Sequence, residues 1–395
     1  MSFDSVPILD LARARDPDTK PTFLSALRDA LLTVGFFYIK NTGIDDSLIQ
    51  DVVEQGRAFF DLPQEEKLKI QMKNTRSCYS LLGAETTAKA RDFREQIDIS
   101  TPHPIPSPSA PLYHNLLSPN QWPSPTALPS FRPVYETYLS RMSTLSTTFT
   151  SLIAESLLLP PTAFNRFFDT DQQHKVKIVK YPDVSSLDDE GRSKRQGVGP
   201  HKDSMLTSYL LQASAHRGLQ AQNLSGDWID VPPIPGTLVV AIGQGLEALT
   251  HGVCKSTTHR VLSPPAGSGP RYSVPFFQGV SYDSTFESVD IPEEVLRMRD
   301  EVVTKREELA GGKGTKKDDV EFAFKKGKWG HLGEATLVNR IRSHPDVGER
   351  WYPEILEGIR KEQRAAAEKD GEHGRREEPK GDNLGLSVGR QGVLV

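Results

Sequence analysis

Hydrophobic and polar positions divide the chain into blocks before any chemistry is considered. "VPILDL" at residues 6–11 predicts a short strand, and Phe23, Leu24, Leu27 and Leu31 repeat at helical spacing in a helix over 20–34. "GFFYIKNTGI", residues 35–44, reads as a strand entered and left by glycine, and Leu48, Val52, Val53 and Phe59 restore helical periodicity over 45–61. Between Thr101 and Pro133 prolines are too dense for a long helix. That stretch predicts an ordered loop, serving as a lid or, the preferred reading, as a static strap. A helix resumes over 134–158. From 175 to 282 short β-rich runs alternate with glycine and proline turns, the pattern of a sandwich or barrel. Beyond Pro292 charge dominates. "EEVLRMRDEVVTKREEL" predicts an exposed helix and "AGGKGTKKDD" a flexible insert, followed by two helices hinged near Pro345 and Gly348 and a tail over 370–395 without order.

These blocks suggest four regions. Residues 1–133 form an N-terminal region with a proline-rich connector, and 134–292 a helix plus barrel core. Residues 293–369 form a helical extension, and 370–395 a disordered tail.

Composition narrows the partners. Forty-eight basic and 52 acidic residues leave a formal charge of −4, and no basic stripe interleaved with aromatics suggests nucleic acid. No apolar run reaches membrane-spanning length. Cys78 and Cys254 are too few for a disulfide framework or a cysteine-rich zinc site, which fits a reducing, cytoplasmic compartment. A small-molecule substrate is expected; the oligomeric state is left open, and a monomer suffices.

The candidate chemistry begins in "VGPHKDSMLTSYLLQ", residues 198–212. On a strand, His201 and Asp203 at i and i+2 would project from one face toward one point, with Lys202 turned to the surface or to a structural contact. With ten histidines in the chain a chance H-x-D pair is common, so the pair alone proves little. His259, in "CKSTTHRVLSPP", lies far enough on for barrel closure to return it, and two imidazoles with one carboxylate suit iron(II) with open positions. In "RYSVPFFQ" Arg271 and Ser273 again share a face. A buried arginine asks for a planar anion that its fork can grip, or else for a structural acid. A dicarboxylate such as 2-oxoglutarate fits both the metal and Arg271.

"HKD", "THRVLSP" and "RYS" together resemble the H-x-D…H…R-x-S pattern of iron(II)- and 2-oxoglutarate-dependent dioxygenases, the isopenicillin N synthase-like group in particular. "LVNRIRSHPDVGERWYPE" is similar to fungal members. The resemblance implies a mainly β fold with flanking helices around a double-stranded β-helix, or jelly roll. It implies His201, Asp203 and His259 as iron ligands, and Arg271, Ser273 and Tyr181 as the 2-oxoglutarate site. No catalytic side chain is implied beyond the metal centre. The implied reaction consumes dioxygen and 2-oxoglutarate and hydroxylates, desaturates or cyclises a small organic molecule, read as one of secondary metabolism. Val179 and Lys180 replace the asparagine and tyrosine usual before Tyr181, and Ala241, Gln244 and His251 depart from the group's usual residues. His251 reads as a turn or core residue. Phe277, by period two from Arg271, and Tyr79 and Phe93, from the region covering the barrel mouth, are candidates for the substrate pocket. Two alternatives are an iron(II) oxidase of the same fold that dispenses with 2-oxoglutarate, and a non-catalytic binding protein.

Overall fold

A computed structural model describes residues 3–71, 78–87, 90–168, 172–285, 287–309 and 330–376. Its centre is a pair of facing sheets. The larger has eight strands in the order Ile8–Asp10, Phe36–Lys40, Thr237–Ile242, Thr207–Gln212, Arg271–Gln278, Lys175–Tyr181, Glu95–Ser100 and Tyr79–Ser80. The smaller runs Trp228–Asp230, Leu219–Gln222, His259–Leu262, Gln196–His201. Apart from the parallel edge pair Ile8–Asp10 and Phe36–Lys40, the pairings within both sheets are antiparallel. This is the double-stranded β-helix, with helices packed outside it. Strands from the first hundred residues complete the larger sheet, so the N-terminal region and the barrel core share one sheet.

Strand alternation gives the larger sheet two apolar faces. Inward, Phe36, Tyr38, Val179, Tyr181, Val239 and Ala241 meet Val198, Leu219 and Val261 of the smaller sheet. Outward, Phe37, Ile39, Ile178, Val240 and Phe276 are covered by helices Lys20–Thr33, Asp46–Asp61 and Phe131–Ser156. The last buries Phe131, Tyr135, Tyr138, Met142, Leu145, Phe149 and Leu152, spacings of four and three that make one continuous stripe. It starts three residues before the expected 134, because Pro133 falls in the first turn, where its missing N–H costs nothing.

The proline-rich segment holds only the short 3-10 turn Leu112–Leu116 among its described elements. Tyr113 stacks on His331 at 5.6 Å, and Leu116 and Tyr282 join the apolar cluster of the C-terminal helices. The segment thus packs against the helices that follow residue 330. The C-terminal extension differs from expectation. After the exposed helix Glu293–Leu309, where two helices were expected, the described residues form three, Leu332–Ser343, Pro345–Trp351 and Pro353–Arg376, because Pro353 as well as Pro345 restarts the backbone, while Gly348 lies inside the middle helix. The last helix runs past 370. The expected flexible insert at 310–319 and the tail beyond 376 lie outside the described residues.

Candidate active site

The strand carrying His201 ends at that residue. Asp203 lies in the irregular stretch that follows, just before a bend at 204–206, after which the chain crosses to the other sheet as Thr207–Gln212. The two side chains therefore converge through a turn, and not through the strand alternation expected from the sequence. Gly243 secures the turn: a Cβ there would stand 2.0 Å from the Met205 carbonyl oxygen, so only glycine lets the backbones approach. The Gln244 N–H donates to the Asp203 carbonyl at 2.7 Å.

His259 opens its strand directly opposite His201 in the ladder, with ring centroids 4.3 Å apart. Each imidazole Nε2 lies 3.8 Å from Asp203 Oδ1, and one donor atom from each residue falls within 4.8 Å of the others. Both rings are fixed from behind in the same way. His201 Nδ1 lies 2.8 Å from the Gly199 carbonyl and His259 Nδ1 3.0 Å from that of Thr257. A carbonyl only accepts, so Nδ1 carries the proton and Nε2 presents its lone pair to the shared point. Asp203 Oδ2 accepts from the Ser208 hydroxyl, leaving Oδ1 toward the imidazoles. Burial, then the neighbouring His259, pushes His201 down to about 3, so it is a neutral donor at physiological pH. Two neutral nitrogens and one carboxylate oxygen, on one side of a point open to a cavity, fit iron(II).

Across the barrel Arg271 is almost wholly buried. Its Nη2 donates to Gln212 Oε1 at 3.1 Å and its guanidinium lies 5.1 Å from the centre of the Tyr181 ring, its cross-strand neighbour. Its Nε and Nη1, and the Ser273 hydroxyl, are buried without a hydrogen-bond partner. Leaving such groups unmet costs about 1–3 kcal/mol each, more for a charge. A group with several acceptor oxygens would meet them.

A cavity of about 730 Å³ is lined by His201, Asp203 and His259 and, across the barrel, by Tyr181 and Ser273. Phe277 lines it on the same face as Ser273, while Phe276 turns into the outer core. Tyr79 and Phe93 do not line it, which corrects the expectation for both. Tyr79 sits behind the larger sheet, 5.8 Å from the Phe59 ring, and donates to Glu95 at 2.8 Å. Phe93 packs under Arg91 and against Gly191. Lys202 is buried beside Glu247, 3.8 Å away. His251 is an exposed turn residue with φ 53°.

The far wall of the cavity is charged, and the motifs did not single it out. Glu85, Arg94, Lys175, Lys177, Arg340 and His344 line it, with Asp98 behind. Arg94 reaches Glu85 at 2.6 Å, His344 Nε2 reaches Glu85 at 2.8 Å, and Arg340 reaches Asp98 at 3.0 Å. Lys177 stands 3.7 Å from Glu85 and 3.9 Å from Asp98. The alternating lysines of "KVKIVKYP", two positions apart and so on one face of a strand, were the available signal.

Fold and donor set together define a non-haem metal oxygenase of the double-stranded β-helix class. Residues 6–125 match the family described as the non-haem dioxygenase in morphine synthesis N-terminal region, and residues 173–280 match the 2OG-Fe(II) oxygenase superfamily. The chain is 66% identical to the 2-oxoglutarate-dependent dioxygenase frbJ of Dothideomycetidae sp. (strain 11243), over 92% of this chain and 96% of that one. A 2-oxoglutarate-dependent dioxygenase of Gibberella zeae is 37% identical, over 90% and 93%. A full-length Neurospora crassa protein, solved in complex with alpha-KG and thymine, superposes with a TM-score of 0.63 at 24% identity, covering 76% of this chain and 97% of that one. The chain belongs to the iron(II)- and 2-oxoglutarate-dependent dioxygenases, with iron(II) and 2-oxoglutarate as its cofactor and co-substrate. Among the described residues no helix is long and apolar enough to cross a membrane.

Proposed function

We propose that the enzyme oxidises a small organic molecule, read as one of secondary metabolism, with His201, Asp203 and His259 as the iron ligands and Arg271, Ser273 and Tyr181 holding 2-oxoglutarate. The observation that carries the residue assignment is the buried guanidinium of Arg271 with two nitrogens unmet, beside the unmet hydroxyl of Ser273, across the barrel from three converging metal donors. The cavity, about 730 Å³, has the size of a small-molecule site.

Bound iron(II) would supply the oxidising chemistry, in which one oxygen atom of dioxygen enters succinate as 2-oxoglutarate loses carbon dioxide and the other oxidises the organic substrate. The chain's own residues bind and orient. Gly199 and Thr257 keep the imidazoles in the tautomer that donates from Nε2, and Ser208 fixes the carboxylate so that one oxygen faces the metal. Arg271 fixes the far end of the co-substrate. The walls hold the reacting C–H bond, and its placement selects hydroxylation, desaturation or ring closure.

The test is anaerobic titration of the iron(II)-loaded protein with 2-oxoglutarate, following the weak visible charge-transfer band of chelation. The band is expected, weakened in Arg271→Ala. Iron binding with no band, or a band indifferent to Arg271→Ala, would overturn the residue assignment.

A further inference from the structure

Lys175, Lys177 and Tyr181 of strand Lys175–Tyr181 line the cavity, as do Ser273, Pro275 and Phe277 of Arg271–Gln278, with Val179 and Arg271 on the same faces by alternation. In the ladder Tyr181 stands opposite Arg271 and Lys175 opposite Phe277. One strand pair thus serves two places. From Ser273 to Phe277 is four residues, about 13 Å along the strand. The Lys175–Phe277 end therefore lies away from the carboxylate held by Arg271 and toward the metal donors, since Phe277 pairs with Ser208, whose hydroxyl donates to Asp203.

The lysines and arginines around the cavity divide sharply by partner. Arg94, Lys177, Lys202, Arg340, Arg342 and Arg360 each have a carboxylate within 4.0 Å. Among the described residues lining the cavity, Lys175 is the one such side chain with neither a carboxylate in that range nor a hydrogen bond. The groups that face it are Arg340 from helix Leu332–Ser343, Asp98 from strand Glu95–Ser100, Glu85, and Lys177 on its own strand. Burial and then Arg340 push its ammonium down to about 7, while Asp98 and Glu85 oppose the shift without reaching it as ion pairs. Phe277, directly across the ladder, offers an apolar ring beside this unmet charge.

We propose that Lys175 binds a carboxylate of the substrate, with Phe277 packing on the adjoining carbon skeleton, so that the enzyme selects a carboxylic acid over its neutral counterparts. This rests on the reading of the cavity as the substrate chamber. Lys175 is a specificity-determining residue, remote from the co-substrate carboxylate on Arg271.

The test uses the full chain loaded anaerobically with iron(II) and 2-oxoglutarate, titrated calorimetrically with 3-phenylpropionate and with its uncharged isostere 3-phenylpropanamide. A charge-assisted contact predicts that the acid binds about tenfold tighter or more. Lys175→Met should erase the gap and Lys175→Arg should restore most of it. The gap should also narrow as the pH rises through about 7, where the ammonium loses its proton. Equal affinity of wild type for acid and amide, failure of the acid to bind, or a gap that survives in Lys175→Met would each overturn the proposal. The 2-oxoglutarate band, recorded in the same samples, separates the two readings. Band present without a gap sinks only the carboxylate site, whereas no band sinks the assignment beneath it. Melting temperature serves as the folding control for each variant.

Discussion

The two ends of the cavity use their charged side chains in opposite ways. At the proposed co-substrate end Arg271 is buried with no acid beside it, and its Nε and Nη1 and the Ser273 hydroxyl have no hydrogen-bond partner. At the far wall Glu85, Asp98, Arg94, Lys177, Arg340 and His344 meet one another at 2.6–3.9 Å. An unpaired buried charge is a demand placed on a ligand, whereas a paired network is a demand placed on the fold. Both kinds occur along the single strand Lys175–Tyr181, whose Lys177 belongs to the network and whose Tyr181 belongs to the ligand end.

Removing a metal ligand is the strongest way to probe this contrast. His201→Ala or Asp203→Ala should abolish iron-dependent turnover, measured as succinate formed, while the far wall keeps its fold. Asp203→Glu should also be severely impaired, since an added methylene moves the carboxylate by about an ångström where metal distances tolerate roughly ±0.2 Å. Asp98→Asn should strike the other end. It leaves Arg340 and Lys177 short of a buried carboxylate, and urea denaturation should read a loss of about 3 kcal/mol.

Arg271→Ala should raise the apparent KM for 2-oxoglutarate by roughly ten- to a hundredfold, the scale of losing a charge-assisted contact. Stability should fall little, because no carboxylate is left unpaired. The paired network should also show in acid. Burial raises Glu85, but Lys177, His344 and Arg94 outweigh it and hold the carboxyl well below its ordinary range. Asp98 is likewise lowered, by Lys177 and Arg340 against burial. Depressed carboxyls bind fewer protons folded than unfolded. Their stabilisation is therefore full above about pH 4.5 and drains away as the pH falls below it, which a melting series would record. Glu85→Gln should flatten that dependence. The smallest effect belongs to His251→Gly. Relief of the left-handed backbone should stabilise the protein by at most about 1–2 kcal/mol, with turnover unchanged, because His251 is no metal ligand.

What the sequence made legible follows the same divide. Ligand-demanding residues sit in short local patterns: H-x-D, one later histidine, R-x-S. These patterns survive the error in local geometry at Asp203, which lies just past the end of the strand and not on it. The long stripe from Phe131 to Leu152 and the strand at Phe36–Lys40 were legible because periodicity there reflects two-sided packing of one sheet. The far wall was not legible. Glu85, Asp98, Lys175 and Arg340 come from distant segments, and each alone looks like an ordinary charged residue. Tyr79 and Phe93 were misread because an aromatic near the barrel mouth in sequence carries no record of which side of the sheet it faces. The three-helix C-terminus turned on Pro353, where one residue decides whether a helix continues or restarts.

The cavity is closed by helices that begin at Leu332 and Pro353, contributing Thr336, Asn339, Arg340 and Leu356, while the metal donors and the co-substrate grip lie between Tyr181 and Ser273. The metal donors and this part of the cavity wall are thus written on separate stretches of the gene, while Lys175 and Phe277 lie on the core strands. Mutation in the last stretch would reshape that part of the wall while the metal donors are inherited intact. The limit on that freedom is Arg340, whose bond to Asp98 ties any such experiment to the survival of the fold.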